Sequence, residues 1–157
     1  MNPCPCGHLG NPRRACRCAP EAVSRYRARL SGPLLDRIDC SVSVPLLAPA
    51  ELDAAPSGER TAVVAQRVAE ARARAMARQG VPNALLQPAD LDVHAPLDAA
   101  ARALLAQAAT QLAWSARAYH RVLRLARTVA DLAGQPQLGV SAVAEAIQLR
   151  RGLDSPS

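Results

Sequence analysis

Lysine is absent: all nineteen basic side chains of the Lys-plus-Arg class are arginine. Without lysine there is no GxxxxGK[ST] phosphate loop, no Schiff-base amine and no lysine general base. Phenylalanine is absent too, and aromatic residues make up only 2% of the chain. That scarcity argues against a stacking platform for single strands or RNA bases. No apolar run approaches the ~20 residues that cross a bilayer, so no membrane partner is expected. The N-terminus lacks the apolar core and cleavage site of a secretory signal, which predicts a cytoplasmic chain. In that compartment the five cysteines read as metal ligands or free thiols rather than disulfides.

What is present is half apolar and rich in Ala, Leu and Val across 157 residues. Such a composition packs small helices closely and builds sheets poorly. The length suits one domain or two small ones. The net charge of +6 is unevenly spread. Residues 1–40 carry seven arginines against Glu21, Asp36 and Asp39, residues 41–95 are slightly acidic, and residues 96–157 are basic again. Basic ends suit a nucleic-acid, nucleotide-phosphate or acidic-partner contact; a solvated arginine surface would look the same.

Local patterns divide the chain. Residues 1–20, dense in Pro, Gly, Asn and Cys, read as tight turns. Residues 20–30 read as a helix opened by Pro20 and Glu21, with Val23, Tyr26 and Leu30 on one face. Ser31-Gly32-Pro33 breaks it, and the alternating run 40–46 reads as a strand ended by Pro45. Residues 48–58 form a polar linker. Beyond it the pattern predicts helices over about 59–79 (capped by Ser57, with Val64, Val68, Ala71 and Ala75 inward), from Leu97 to Leu112, from Ser115 to Gly134, and from Ser141 to Arg151. Residues 81–95 read as a loop with one short turn, and residues 152–157 as a disordered tail. The fold class is therefore mainly α, with a helical bundle at 59–151 preceded at 1–47 by a Cys-rich loop, one helix and one strand. A lone strand cannot make a sheet, so it docks on the bundle or belongs to a sheet completed elsewhere.

Cys4, Cys6, Cys16 and Cys18 form two C-x-C pairs separated by nine residues. Four thiolates suit tetrahedral zinc in a structural role, because four protein ligands leave no open position. Arg13, Arg14 and Arg17 would offset the negative charge, and His8 is a substitute ligand. Four reduced thiols in a floppy loop are the alternative. Cys40, in the expected strand, reads as a small buried hydrophobe. Arg37 sits between Asp36 and Asp39 at the junction of a turn and the expected strand. It is held there to point outward, or forms only a local surface pair. Arg117, Arg121 and Arg124 make a basic stripe at i, i+4 and i+7, with Arg117 in a first helical turn. A cation there works against the helix dipole, and an anion would meet Arg117 together with free backbone N–H groups. His120 reads as a surface or packing residue.

The stretches NPCPCGHLGNPRRACRC, RYRARLSGPLLDRID and SARAYHRVLRLARTVADLAG together resemble the C-terminal part of the magnesium-chelatase-like AAA+ ATPases of the ComM/YifB family, over about residues 2–150. The resemblance implies that residues 1–47 are the tail of an AAA+ α/β core and 59–151 the helical lid. It implies that Asn2 is a sensor-1 residue orienting the attacking water, Arg37 an arginine finger for a neighbouring subunit's ATP, and Arg117 a sensor-2 arginine touching the nucleotide. It further implies ATP and Mg²⁺ as ligands, hexameric AAA+ subunits carrying Walker A and B as partners, and DNA branch migration linked to natural transformation. Neither Walker motif is in this sequence, so the chain reads as a C-terminal fragment without activity of its own. The alternative from another class is a stand-alone zinc-containing module that binds nucleic acid or docks on a partner.

Overall fold

A computed structural model describes residues 2–44, 46–47, 53 and 58–154, with side chains described through Arg150. Helix α1 runs Pro20–Arg27 and α2 is a single turn, Gly32–Leu35. The long α3, Thr61–Gln79, ends at Gly80, whose φ of 73° supplies the left-handed cap that glycine tolerates best. Two 3₁₀ turns, Asn83–Leu85 and Pro88–Asp90, lead into the short α4, Leu91–His94. Then come α5 (Ala99–Gln111), α6 (Ala116–Leu132) and α7 (Val140–Asp154).

The core of the bundle forms between three helices. Ala101, Leu105 and Ala108 of α5 meet Val122, Leu123, Ala126 and Ala130 of α6 and Ala142, Val143, Ala146 and Ile147 of α7. Leu86, Leu91 and Ala95 cap one end of this core. The small side chains let α7 sit close to both α5 and α6. Ser115 caps α6 by accepting from the Ala118 N–H at 3.1 Å, and Asp98 caps α5 by accepting from the Ala101 N–H at 2.7 Å. Among the described residues, a single parallel bridge joins Leu97 to Leu138. It ties the segments that enter α5 and α7, through Asp98 N–H to the Leu138 carbonyl (3.2 Å) and Leu138 N–H to the Pro96 carbonyl (3.0 Å).

Several expectations are corrected. Residues 40–44 and 46–47 form no strand, and Val42 and Val44 are 69% and 87% exposed. With no neighbouring strand among the described residues, the alternation has nothing to pair with. Cys40 is accordingly exposed, not buried. Val68 is also exposed, because only Ala71 and Ala75 of α3 are buried. The first half of α3 thus has little of the bundle against it. The N-cap of α3 is Arg60; Ser57 lies outside the described residues, as do Pro45 and most of the 48–58 linker. Helix α7 begins at Val140, one residue before Ser141, and reaches Asp154, past the expected end at Arg151. Residues 152–154 of the expected tail are therefore helical, and 155–157 lie outside the described residues.

Candidate functional site

The turns of residues 4–18 gather the four cysteines. Gly7 and Gly10 have φ of 78° and 79°, left-handed positions where a side chain is strained. The Gly7 N–H donates to the Cys4 carbonyl at 3.0 Å, and Asn11 Oδ1 accepts from the N–H groups of Arg13 (2.8 Å) and Arg14 (3.2 Å). The Asn11 side chain thus folds the second half of the loop back toward the first. All four Sγ atoms lie within 4.8 Å of one another. Cys4 is 3.4 Å from Cys6 and 3.7 Å from Cys16, and Cys6 is 3.6 Å from Cys16. Ligands at about 2.3 Å on the corners of a tetrahedron stand about 3.8 Å apart, so the residues present fit a four-thiolate zinc ion. The backbone N–H groups of Arg17 and His8 hold Cys6 down at about 6. The Cys6 N–H favours the Cys18 thiolate, but the crowding of Cys6, Cys16 and Cys4 pushes Cys18 up to about 12. A cation between the sulfurs would favour the thiolate form of all four. His8 takes part through its backbone, and the four-sulfur group excludes its ring.

The segment after α2 is strapped onto the bundle. Arg150, 1% exposed, donates from Nη1 to the Ile38 carbonyl at 2.9 Å and pairs with Asp36 at 3.4 Å. The Ser115 hydroxyl donates to Asp36 at 3.3 Å, Arg121 pairs with Asp39, and the Ser41 N–H donates to the Leu149 carbonyl at 2.7 Å. Asp36 and Asp39 therefore bond to α6 and α7 and not to Arg37, which replaces the local surface pair as the reading of DRID. Arg37 itself is exposed, with no ion pair among the described residues.

At the start of α6, Pro88, Arg117, His120, Arg121 and Arg124 line an open groove of about 390 Å³. Arg117 is exposed, whereas Arg124 donates from Nε to the Leu86 carbonyl at 2.8 Å. His120 is half-buried and meets the Tyr119 ring edge-on, with ring centres 6.0 Å apart. Ser115 connects this groove to the strap, because it both caps α6 and bonds Asp36. The structure thus places the Arg37 segment beside the Arg117 turn. Asn2 is exposed and packs near Gly7 of the cysteine loop.

One polar cluster went unread in the sequence. Asp131, 2% exposed, takes two bonds from Arg78 (2.6 and 2.9 Å), one from Asn83 (2.8 Å) and an ion pair from the fully buried Arg127 (3.0 Å). Arg127 also donates to the carbonyls of Gln135 and Pro136. The i,i+4 spacing of Arg127 and Asp131 was the available signal, and it looks like any solvated helix pair. The cluster bolts α3 and the Asn83 turn to α6.

Two family models cover the chain: magnesium chelatase, subunit ChlI, over residues 1–52, and magnesium chelatase, subunit ChlI C-terminal, over residues 58–150. The chain is 39% identical over 151 residues to competence protein ComM of Haemophilus influenzae, covering 96% of this chain and 29% of that protein. It is 42% identical over 134 residues to the uncharacterised protein YifB of Escherichia coli, covering 84% of this chain and 26% of that one. An uncharacterised protein of Mycobacterium tuberculosis is 39% identical over 157 residues, 96% of this chain and 30% of its own. The chain spans less than a third of the length of these curated relatives. With the two family models together matching residues 1–52 and 58–150, and identity of 39% over 96% of the chain to the Haemophilus protein, the chain belongs to the magnesium-chelatase family, on its ComM and YifB branch.

Proposed function

We propose that this chain supplies the arginine-finger and nucleotide-sensing parts of an AAA+ ATPase whose Walker A and Walker B elements lie in other sequence. The observation that carries the reading is the groove at the start of α6: Arg117, Arg121 and Arg124 line it, beside a strap that leaves Arg37 exposed. In the assembled ATPase, Arg117 contacts the nucleotide phosphates of its own subunit, where the first-turn N–H groups add to its charge. Arg37 reaches the γ-phosphate bound by the neighbouring subunit and stabilises charge in the transition state, an effect worth about 10³–10⁵ in rate. Asn2 orients the attacking water, a role that requires the cysteine loop to close over the site on assembly. The family resemblance extends this to a hexamer that acts on DNA, and the competence name of the Haemophilus relative points the same way.

Cys4, Cys6, Cys16 and Cys18 would hold a zinc ion. The ion would neutralise the thiolates and fix the loop, with no open position for catalysis.

The test is turnover. The chain by itself hydrolyses ATP at background rate. In the ATPase assembled with its Walker-bearing part, Arg37→Ala abolishes turnover and leaves nucleotide binding intact. Unchanged turnover removes the finger role, and turnover by the purified chain removes the whole reading.

A second reading, a zinc-containing module that binds nucleic acid, is favoured by one observation: Arg13, Arg14 and Arg17 are exposed around the cysteines, and residues 2–18 contain no acidic side chain. It requires binding to duplex or single-stranded DNA that weakens steeply with salt in an anisotropy titration. No binding at low salt eliminates it.

A further inference from the structure

We infer that Arg121 is shared between two anions, Asp39 of the strap and a polyphosphate in the groove at the start of α6, so that filling the groove loosens the segment carrying Arg37. The inference rests on the proposed phosphate role of that groove and adds a connection between the two functional arginines.

Arg121 lines the groove with Arg117 and Arg124 and pairs with Asp39 in the same arrangement. Its neighbours are differently engaged. Arg124 bonds a backbone carbonyl, and Arg117 has no ion pair among the described residues. Arg121 is thus the groove guanidinium whose partner is another carboxylate. That carboxylate is a weak holder, because the Asp39 side chain is 57% exposed and solvent screens the pair. A triphosphate carries several charges and offers oxygens to a guanidinium fork two at a time, which a single half-solvated carboxylate does not outbid.

The strap is fixed independently at other points, by Arg150 on Ile38 and Asp36 and by the Ser41 N–H on Leu149. Losing the Asp39 anchor therefore re-aims the residues between Asp36 and Asp39 without detaching the strap. Arg37 is one of them. Asp39 and Arg121 are positioning residues in this scheme, acting on Arg37 through the backbone.

Linkage makes the idea measurable on the chain as it stands. If a groove anion weakens the Asp39–Arg121 pair, deleting the Asp39 charge strengthens anion binding by the same factor. The experiment is calorimetric titration of inorganic tripolyphosphate, at low salt and without divalent metal, into wild type, Asp39→Asn, Arg121→Ala and the double variant. Asp39→Asn is expected to bind about three- to fivefold tighter, the size of a half-exposed ion pair. Asp39→Glu keeps wild-type affinity. In the Arg121→Ala background the same Asp39→Asn change gives no gain, because the shared group is gone. An equal gain in both backgrounds overturns the inference, since it would be general charge repulsion. Weaker binding by Asp39→Asn also overturns it, because Asp39 would then be pre-orienting Arg121. Tripolyphosphate binding that Arg117→Ala abolishes and Asp39→Asn leaves unchanged overturns the sharing alone. Binding to none of the variants overturns the groove reading together with it.

Discussion

Arg78 of α3 and Asp131 of α6, fifty-three residues apart, meet through two hydrogen bonds of 2.6 and 2.9 Å. Asp131 is almost fully buried between that guanidinium and the one from Arg127. The pair joins α3 to the bundle. Asp131→Asn should destabilise the chain by about 3–5 kcal/mol, because it leaves the buried Arg127 without its counter-charge. Urea unfolding with an unchanged m value measures this.

The same carboxylate sets a pH dependence. Burial raises its pKa, but the hydrogen bonds from Arg78 and Asn83 and the charge of Arg127 outweigh that and leave it below the usual aspartate range. The unfolded chain thus binds more protons than the folded one near pH 4. The stability from Asp131 is present above the unfolded pKa of about 4 and is lost as pH falls through the lower folded value. Thermal melts between pH 7 and 3 should fall more steeply for wild type than for Asp131→Asn.

Zinc removal should act locally. The hydrophobic core lies in the bundle and includes none of the four cysteines. Elemental analysis of chain prepared with zinc should find one ion per chain, and none after Cys6→Ser combined with Cys16→Ser. Stripping the ion with a strong chelator should expose residues 4–18 to proteolysis while the helical circular dichroism of the bundle persists. A bundle that unfolds with the metal would contradict this separation.

Ala113 closes the turn between α5 and α6 with φ of 48°, a left-handed position that costs an alanine more than a glycine. Ala113→Gly should raise stability by about 0.5–1 kcal/mol, offset in part by the greater freedom of the unfolded chain. A lower melting temperature would show that the methyl group packs more than it strains.

Asp98 accepts from the Ala101 N–H at the start of α5, and its backbone N–H donates to Leu138. Asp98→Ala should cost about 1 kcal/mol through the lost cap alone, because the backbone bond survives the substitution. Asp98→Pro removes that bond as well and should cost clearly more in the same melts.

The helices were legible because their signals are local. Ser115 caps, Gly80 stops, and the apolar period of α6 places Val122, Ala126 and Ala130 on one face. The four-cysteine cluster was legible for the same reason, as two C-x-C pairs around turn residues. What escaped depends on distant neighbours. Asp131 looks solvated until Arg78 and Asn83 arrive from another part of the chain. Arg150 reads as a basic residue at a helix end and proves to be a buried anchor for Ile38. Val42 and Cys40 alternate like a strand, yet alternation reports only a tendency and is silent on whether a partner edge exists.

The bond from Arg150 to Ile38 carries a warning for anyone dissecting the molecule. Composition invites a cut near residue 58, which would release the helices as a tidy unit. That cut would strip a nearly solvent-free guanidinium of its carbonyl and carboxylate acceptors at once. The liberated half would display a cationic socket hungry for acidic peptides. Any partner it captured in a binding screen would first have to be distinguished from a stand-in for its own missing arm.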